Sequence, residues 1–201
     1  MRFTTLLLTV LTFTLGSAAS AATVSFSSGG SFTLFQVASG DPLANGFLHA
    51  GYYETSPIGL SSADLQANFN PWASFGSDSG TSGFFGNGNF PTTDVGSAAG
   101  RPLYLVVTDT NDVNSATQIA VFTNSSDTNW NFPATELGFA PSVSLDAIIG
   151  DAPGSSVLAG AITTSPLTMG GPAIQLAAVP EPSVAILGLL SLCGLLRRCR
   201  S

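Results

Sequence analysis

Lysine is absent from this 201-residue chain, and charged residues of any kind make up only 8% of it. That is far below the roughly 25% of an ordinary soluble domain. Four of the five arginines, Arg2, Arg197, Arg198 and Arg200, lie in the terminal segments, so Arg101 and His49 are the only basic side chains of the body. Eleven of the twelve carboxylates fall in that body, which leaves it with a net charge of about −10. Such a surface lacks the Lys/Arg contacts that hold a phosphate backbone, which excludes nucleic-acid binding. It also lacks attraction for an anionic lipid surface. Both cysteines, Cys193 and Cys199, belong to the tail. The body therefore has no thiol for a disulfide or for nucleophilic catalysis.

What is present is a body rich in Gly and Phe, 44% hydrophobic overall, which rules out a charge-rich disordered chain. Met1-Arg2 followed by the apolar run Phe3 to Leu15 and by Ala19-Ser20-Ala21 has the plan of an export signal, with cleavage expected after Ala21 or Ala22. The chain accordingly divides into a signal peptide (1–22), one exported β-rich domain (23–178) and a tail (179–201).

Short alternating runs dominate the body. Val24 and Phe26, then Phe32 and Leu34, flank Gly29-Gly30 and predict two strands meeting at a turn. "GFLHAGYY" predicts a strand with Phe47, His49 and Tyr53 on one face and Leu48, Ala50 and Tyr52 on the other. The unbroken apolar run of "LYLVVT" predicts a strand covered on both faces, with "QIAVFT" as its hairpin partner. Further short strands are expected at Val143-Ser144-Leu145, Ile148-Ile149, Val157-Leu158 and Ile174-Gln175-Leu176. "SSADLQANF" predicts the one helix, capped by Ser61 or Ser62 and stopped by Pro71. The Gly/Ser/Asn-rich segment from Gly76 to Asn89 reads as a loop, one that exposes Phe84 and Phe85 unless they fold back. This spacing of strands and turns predicts an all-β fold, a single β-sandwich or jelly roll, flanked by the signal peptide and a short C-terminal membrane helix.

Few residues carry chemistry. His49 sits between apolar neighbours with no nucleophile elbow in the chain, which favours a core histidine over a catalytic one. Asp78-Ser79-Gly80 has neither the hydrophobic flanks nor the second copy that an aspartic-protease dyad requires. "GFFGNGNF" lacks the last glycine of a dinucleotide fingerprint and the Lys of a phosphate loop. Glu54 and Glu136 are the body's only glutamates, so a glycoside-acting enzyme is the third of three functional readings. "DTNDVN" has the oxygen ligands of a calcium loop but not its central Gly or final Glu. Asp109, Asn111 and Asp112, with Asp127, thus form either an irregular Ca2+ site or a solvated hairpin loop, and no other cofactor is expected. Trp72 and Trp130, in the loop-like segments "FNPWASF" and "NWNFP", are either sugar-contacting rings or core plugs.

The tail is more specific. Val184 to Leu196 is an uncharged run of 13 residues, about 20 Å as a helix at ~1.5 Å per residue, against a hydrocarbon core of ~30 Å. Arg197, Arg198 and Arg200 would hold its end in the cytoplasm. Pro180-Glu181-Pro182 in front of it keeps the backbone extended and accessible. Val179-Pro180-Glu181-Pro182-Ser183, a short apolar helix and a terminal arginine cluster together resemble the PEP-CTERM sorting signal of Gram-negative bacteria. The resemblance covers 179–201 only, with Cys199 interrupting the arginines and Ser201 after them. It implies recognition by an exosortase-like membrane protease at Pro180, Glu181, Pro182 and Ser183, transient anchoring in the inner membrane, and delivery to a cell surface or matrix associated with exopolysaccharide. The expected function is therefore a noncatalytic surface or matrix protein, with a carbohydrate-binding β domain as the alternative.

Overall fold

A computed structural model describes residues 21–28, 33–77, 82–90, 93–134, 141–168 and 170–180. Most of the signal segment, Gly29-Gly30, Phe32, Asp78-Ser79-Gly80, Glu136 and the tail beyond Pro180 lie outside these residues.

Fourteen strands occur among the described residues: β1 (Ala21–Ala22), β2 (Ser25–Ser27), β3 (Leu34–Gln36), β4 (Phe47–Tyr53), β5 (Phe69–Gly76), β6 (Gly88–Asn89), β7 (Thr93–Asp94), β8 (Tyr104–Thr108), β9 (Gln118–Asn124), β10 (Ser142–Ser144), β11 (Ser155–Ala159), β12 (Ala161–Ser165), β13 (Gly171–Gln175) and β14 (Ala177–Ala178). Only two short α-helices accompany them, α1 (Ser62–Ala67) and α2 (Leu145–Ile149). The class is mostly β.

The centre is a six-stranded antiparallel sheet ordered β11-β9-β8-β4-β5, with β14 sharing the outer side of β9. The expected hairpin of β8 and β9 forms, pairing Leu105 with Phe122 and Thr108 with Ile119. Both of its strands are covered on both faces, as their continuous apolar sequences require. Leu105, Val107, Ala120 and Phe122 belong to one core, Val106, Ile119 and Val121 to another. β4 alternates as expected: Leu48, Ala50 and Tyr52 join the first core, Tyr53 the second.

The first core is shared with two smaller sheets, β10-β2-β6 and β12-β13-β3. They contribute Phe26, Val143, Phe35 and Ile174 to the packing. β2 and β3 do not pair with each other, contrary to the expected turn between them. β2 runs parallel to β10 and β3 parallel to β13. The alternation correctly marked strands, but each found its parallel partner more than a hundred residues away, and β2 pairs on its other side with β6.

Two other expectations are corrected. Ile148-Ile149 is helical, not a strand. Ser144 caps α2 by accepting from the Asp146 N–H at 3.2 Å, and Gly150 closes it. The segment around Trp72 is the eight-residue strand β5, not a loop. As an edge strand, β5 tolerates Pro71 because the missing N–H faces no partner. A bulge opposite Ala50/Gly51 then lets Trp72 and Ala73 both pack on the first core. Phe85 folds back and is buried, edge-on to Phe35 at 5.1 Å. It is held by the Gly83 backbone, which bonds Leu43 and Phe35. Gly83 has φ +82°, and a Cβ there would sit 2.7 Å from the Phe35 carbonyl, so no other residue fits without displacement.

The second face is covered by α1. Ser61 is the N-cap, accepting from the Asp64 N–H at 3.2 Å and donating to its carboxylate at 2.6 Å. Leu65 enters the second core, and Gln66 Nε2 donates to the carbonyls of Val113 at 2.6 Å and Ala116 at 2.7 Å. The helix ends at Ala67, before Pro71 could stop it. Val179, which heads the tail motif, is itself buried in this core and donates its N–H to Thr117.

Candidate functional site

His49 lies in β4 on the face of the second core and is 2% exposed. Its Nε2 is 2.9 Å from Thr108 Oγ1. The Thr108 hydroxyl donates to the Thr110 carbonyl at 2.6 Å, so it accepts from histidine, which assigns the proton to Nε2. Burial lowers the imidazole pKa from 6.5 to about 4, opposed by the Thr110 carbonyl and the charge of Asp112. A neutral, bonded ring between strands is a structural histidine.

The hairpin loop after β8 engages its carboxylates locally. Asp109 accepts from the Thr117 N–H at 3.0 Å and from the Thr117 hydroxyl. Asp112 caps a short 3-10 turn by accepting from the Asn114 N–H at 3.0 Å, and Asp127 does the same for Asn129 at 2.9 Å. Asp112 and Asp127 are Asx-type caps, the ordinary use of such residues in turns, whereas Asp109 closes the base of the hairpin loop on Thr117. No group of three or more His, Cys, Asp or Glu side chains converges among the described residues.

Arg101, the body's one arginine, donates to Glu54 at 2.6 Å, and its guanidinium lies 4.7 Å from the centre of the Tyr52 ring. The Tyr52 hydroxyl is in turn 2.6 Å from Ser97 Oγ. This ties β4 to the 3-10 turn before β8. The partner that a two-carboxylate glycosidase would need, Glu136, lies outside the described residues.

Trp130 is 1% exposed and packed in the first core, and among the described residues its indole N–H has no hydrogen-bond partner. It is a core plug. Trp72 is half-buried, edge-on to Phe132 at 5.3 Å. With one ring buried, the two indoles do not form a shared sugar platform.

No protein-family model, no curated protein and no solved structure matches the chain. Among the described residues no helix is long and apolar enough to cross a membrane. The tail helix, Arg197, Arg198, Arg200 and the motif residues Glu181, Pro182 and Ser183 lie outside them. Pro180 is described, exposed and directly attached to buried Val179. Sequence reasoning located His49 and both tryptophans but missed the Arg101–Glu54–Tyr52 cluster. The scarcity of cations was the signal that could have found it, since a lone arginine among eleven carboxylates must pair.

Proposed function

We propose that the chain is an exported, noncatalytic surface or matrix protein, addressed by its C-terminal tail to an exosortase-like protease and associated with exopolysaccharide. The body is one domain whose two smaller sheets face the central sheet in a sandwich-like arrangement. The observation that carries this reading is the order of parts after Val179: Pro180-Glu181-Pro182-Ser183, an uncharged run too short to span comfortably, then Arg197, Arg198 and Arg200. Pro180, the first residue of the motif, is exposed and follows the last core residue immediately, where a protease could remove the tail and leave the body intact.

A noncatalytic body agrees with what its polar groups do. His49 is neutral and bonded, Asp109, Asp112 and Asp127 serve turns, and Glu54 is paired with Arg101. The reading requires no cofactor. Carbohydrate binding is the second reading, and it rests on Trp72 alone, since Trp130 has no face to offer.

The test compares intact masses of released and membrane-bound protein, for the natural chain and for a variant with Pro180, Glu181 and Pro182 changed to Ala. Sorting predicts released protein without Val184 to Ser201, and a variant retained in the membrane with its tail. A full tail on released protein, or unaltered processing of the variant, overturns it in favour of a plain anchor.

A further inference from the structure

Among the described residues, three strands of five or more residues lie at sheet edges: β5, β11 and β12. Natural sheets protect such edges with prolines, bulges or charges, because unpaired N–H and C=O groups recruit further strands. β5 carries Pro71 and the bulge at Trp72, and the β11 ladder breaks between Val157 and Ala159. β12 has no such protection: its five pairs with β13 run without interruption. No charged residue occurs between Asp151 and Glu181, and Ile162 and Leu167 are 42% and 64% exposed.

The register determines which backbone groups face outward. Thr164 pairs with Pro172, which has no N–H, so this is a non-hydrogen-bonded pair of the antiparallel ladder. Alternation then aims the N–H and C=O of both Ile162 and Thr164 at the free edge. β3 agrees with this parity: Phe35 spends its N–H and C=O on Gly83 and Leu43, which leaves Leu34 and Gln36 to bond the even-numbered residues of β13. Among the described residues nothing pairs with the outward groups of Ile162 and Thr164.

We infer that β12 is an interface between two copies of this chain, pairing antiparallel with itself about Thr163. Centred there, Ile162 of one copy lies opposite Thr164 of the other, and both outward-facing residues of each strand meet outward-facing residues. Four backbone hydrogen bonds close the edge. The occupant is a second copy because the strand is complementary to itself. The uncharged stretch is also where two bodies, each of net charge about −10, approach with least repulsion.

The central Thr163–Thr163 pair would be non-hydrogen-bonded, with Cα atoms about 4.5 Å apart, within the span of a disulfide. The experiment uses the full chain in mild detergent with Cys193→Ser and Cys199→Ser, adding either Thr163→Cys or, as a control, Ile58→Cys. Ile58 is 79% exposed and outside the sheets. Oxidation should give a reducible dimer of the Thr163→Cys chain and leave the Ile58→Cys chain monomeric. Thr164→Pro removes an outward N–H without touching the β12–β13 ladder, so it should keep the fold and weaken the dimer about a hundredfold, roughly tenfold for each of two lost hydrogen bonds. Equal cross-linking of both cysteine variants, cross-linking of neither, coupling of Thr163→Cys to a different protein, or a folded Thr164→Pro chain that dimerises undiminished overturns the inference. Should Thr164→Pro fail to fold, the two cysteine variants decide.

Discussion

On one face of the central sheet, Leu48, Leu105, Val107 and Phe122 meet Phe26, Phe35, Phe90 and Trp130 in a core packed by volume. On the other face, His49, Thr108 and Gln66 are buried beside Val106 and Val121, and the ring and amide groups of His49 and Gln66 are bonded. The contrast is sharpest in the polar atoms. Among the described residues the first core leaves the Trp130 N–H unpartnered. In the second, the Tyr53 hydroxyl donates to the Leu65 carbonyl and Gln66 reaches two carbonyls of the hairpin loop. Apolar contacts are tolerant of direction, whereas hydrogen bonds are not. The first face therefore supplies most of the stability, and the second fixes where α1 sits.

The largest expected effect breaks the first face. Phe122→Ala removes a fully buried ring and should cost about 3–5 kcal/mol, seen as a lower denaturation midpoint with one cooperative transition for all probes. Should α1 unfold separately in that variant, the two faces are not one cooperative unit.

Next comes pH, which acts on the second face. His49 has a folded pKa near 4 against 6.5 unfolded, so the unfolded chain binds the proton more readily. Its contribution is neutral above 6.5, and stability is lost as pH falls from there to about 4, by on the order of 3 kcal/mol in all. Carboxylates titrate in the lower part of this window, so the measurement is the difference between the natural chain and His49→Gln across it. Parallel stability curves for the two would refute the assignment.

Gln66→Ala should cost about 2 kcal/mol by leaving the Val113 and Ala116 carbonyls unsatisfied. Amide exchange should quicken in α1 and the 113–116 turn, while β8 and β9 stay protected. Uniform quickening would erase the distinction between faces. Smallest is Ser61→Ala, which removes the cap of α1 at about 1 kcal/mol, read as a modest fall in melting temperature.

The same contrast explains what could be read from the sequence. The β8–β9 hairpin and the two faces of β4 were legible because apolar periodicity states them directly and the partners are close in sequence. The partners of β2 and β3 were not, since nothing in either strand records that its neighbour is β10 or β13. α2 was misread although its signals were present: Ser144 before Asp146 and Gly150 after Ile149 mark a capped turn, but the apolar pair Ile148-Ile149 also suits a strand. Pro71 was read as a stop when an edge strand accommodates it. At the candidate site, the core role of His49 followed from its apolar neighbours. The burial of Trp130 could not be read, because it depends on the turn capped by Asp127 and on Leu103, distant in sequence, whose N–H donates to the Trp130 carbonyl.

The Arg101–Glu54–Tyr52 cluster has a consequence for survival outside a cell. Trypsin-like proteases need a lysine or arginine side chain free to enter their specificity pocket, followed by a residue other than proline. The body offers them a single arginine, whose guanidinium is held by a carboxylate and an aromatic ring and whose next residue is Pro102. Such enzymes can trim the chain at Arg2 and in the Arg197–Arg200 cluster, and find nothing to cut between.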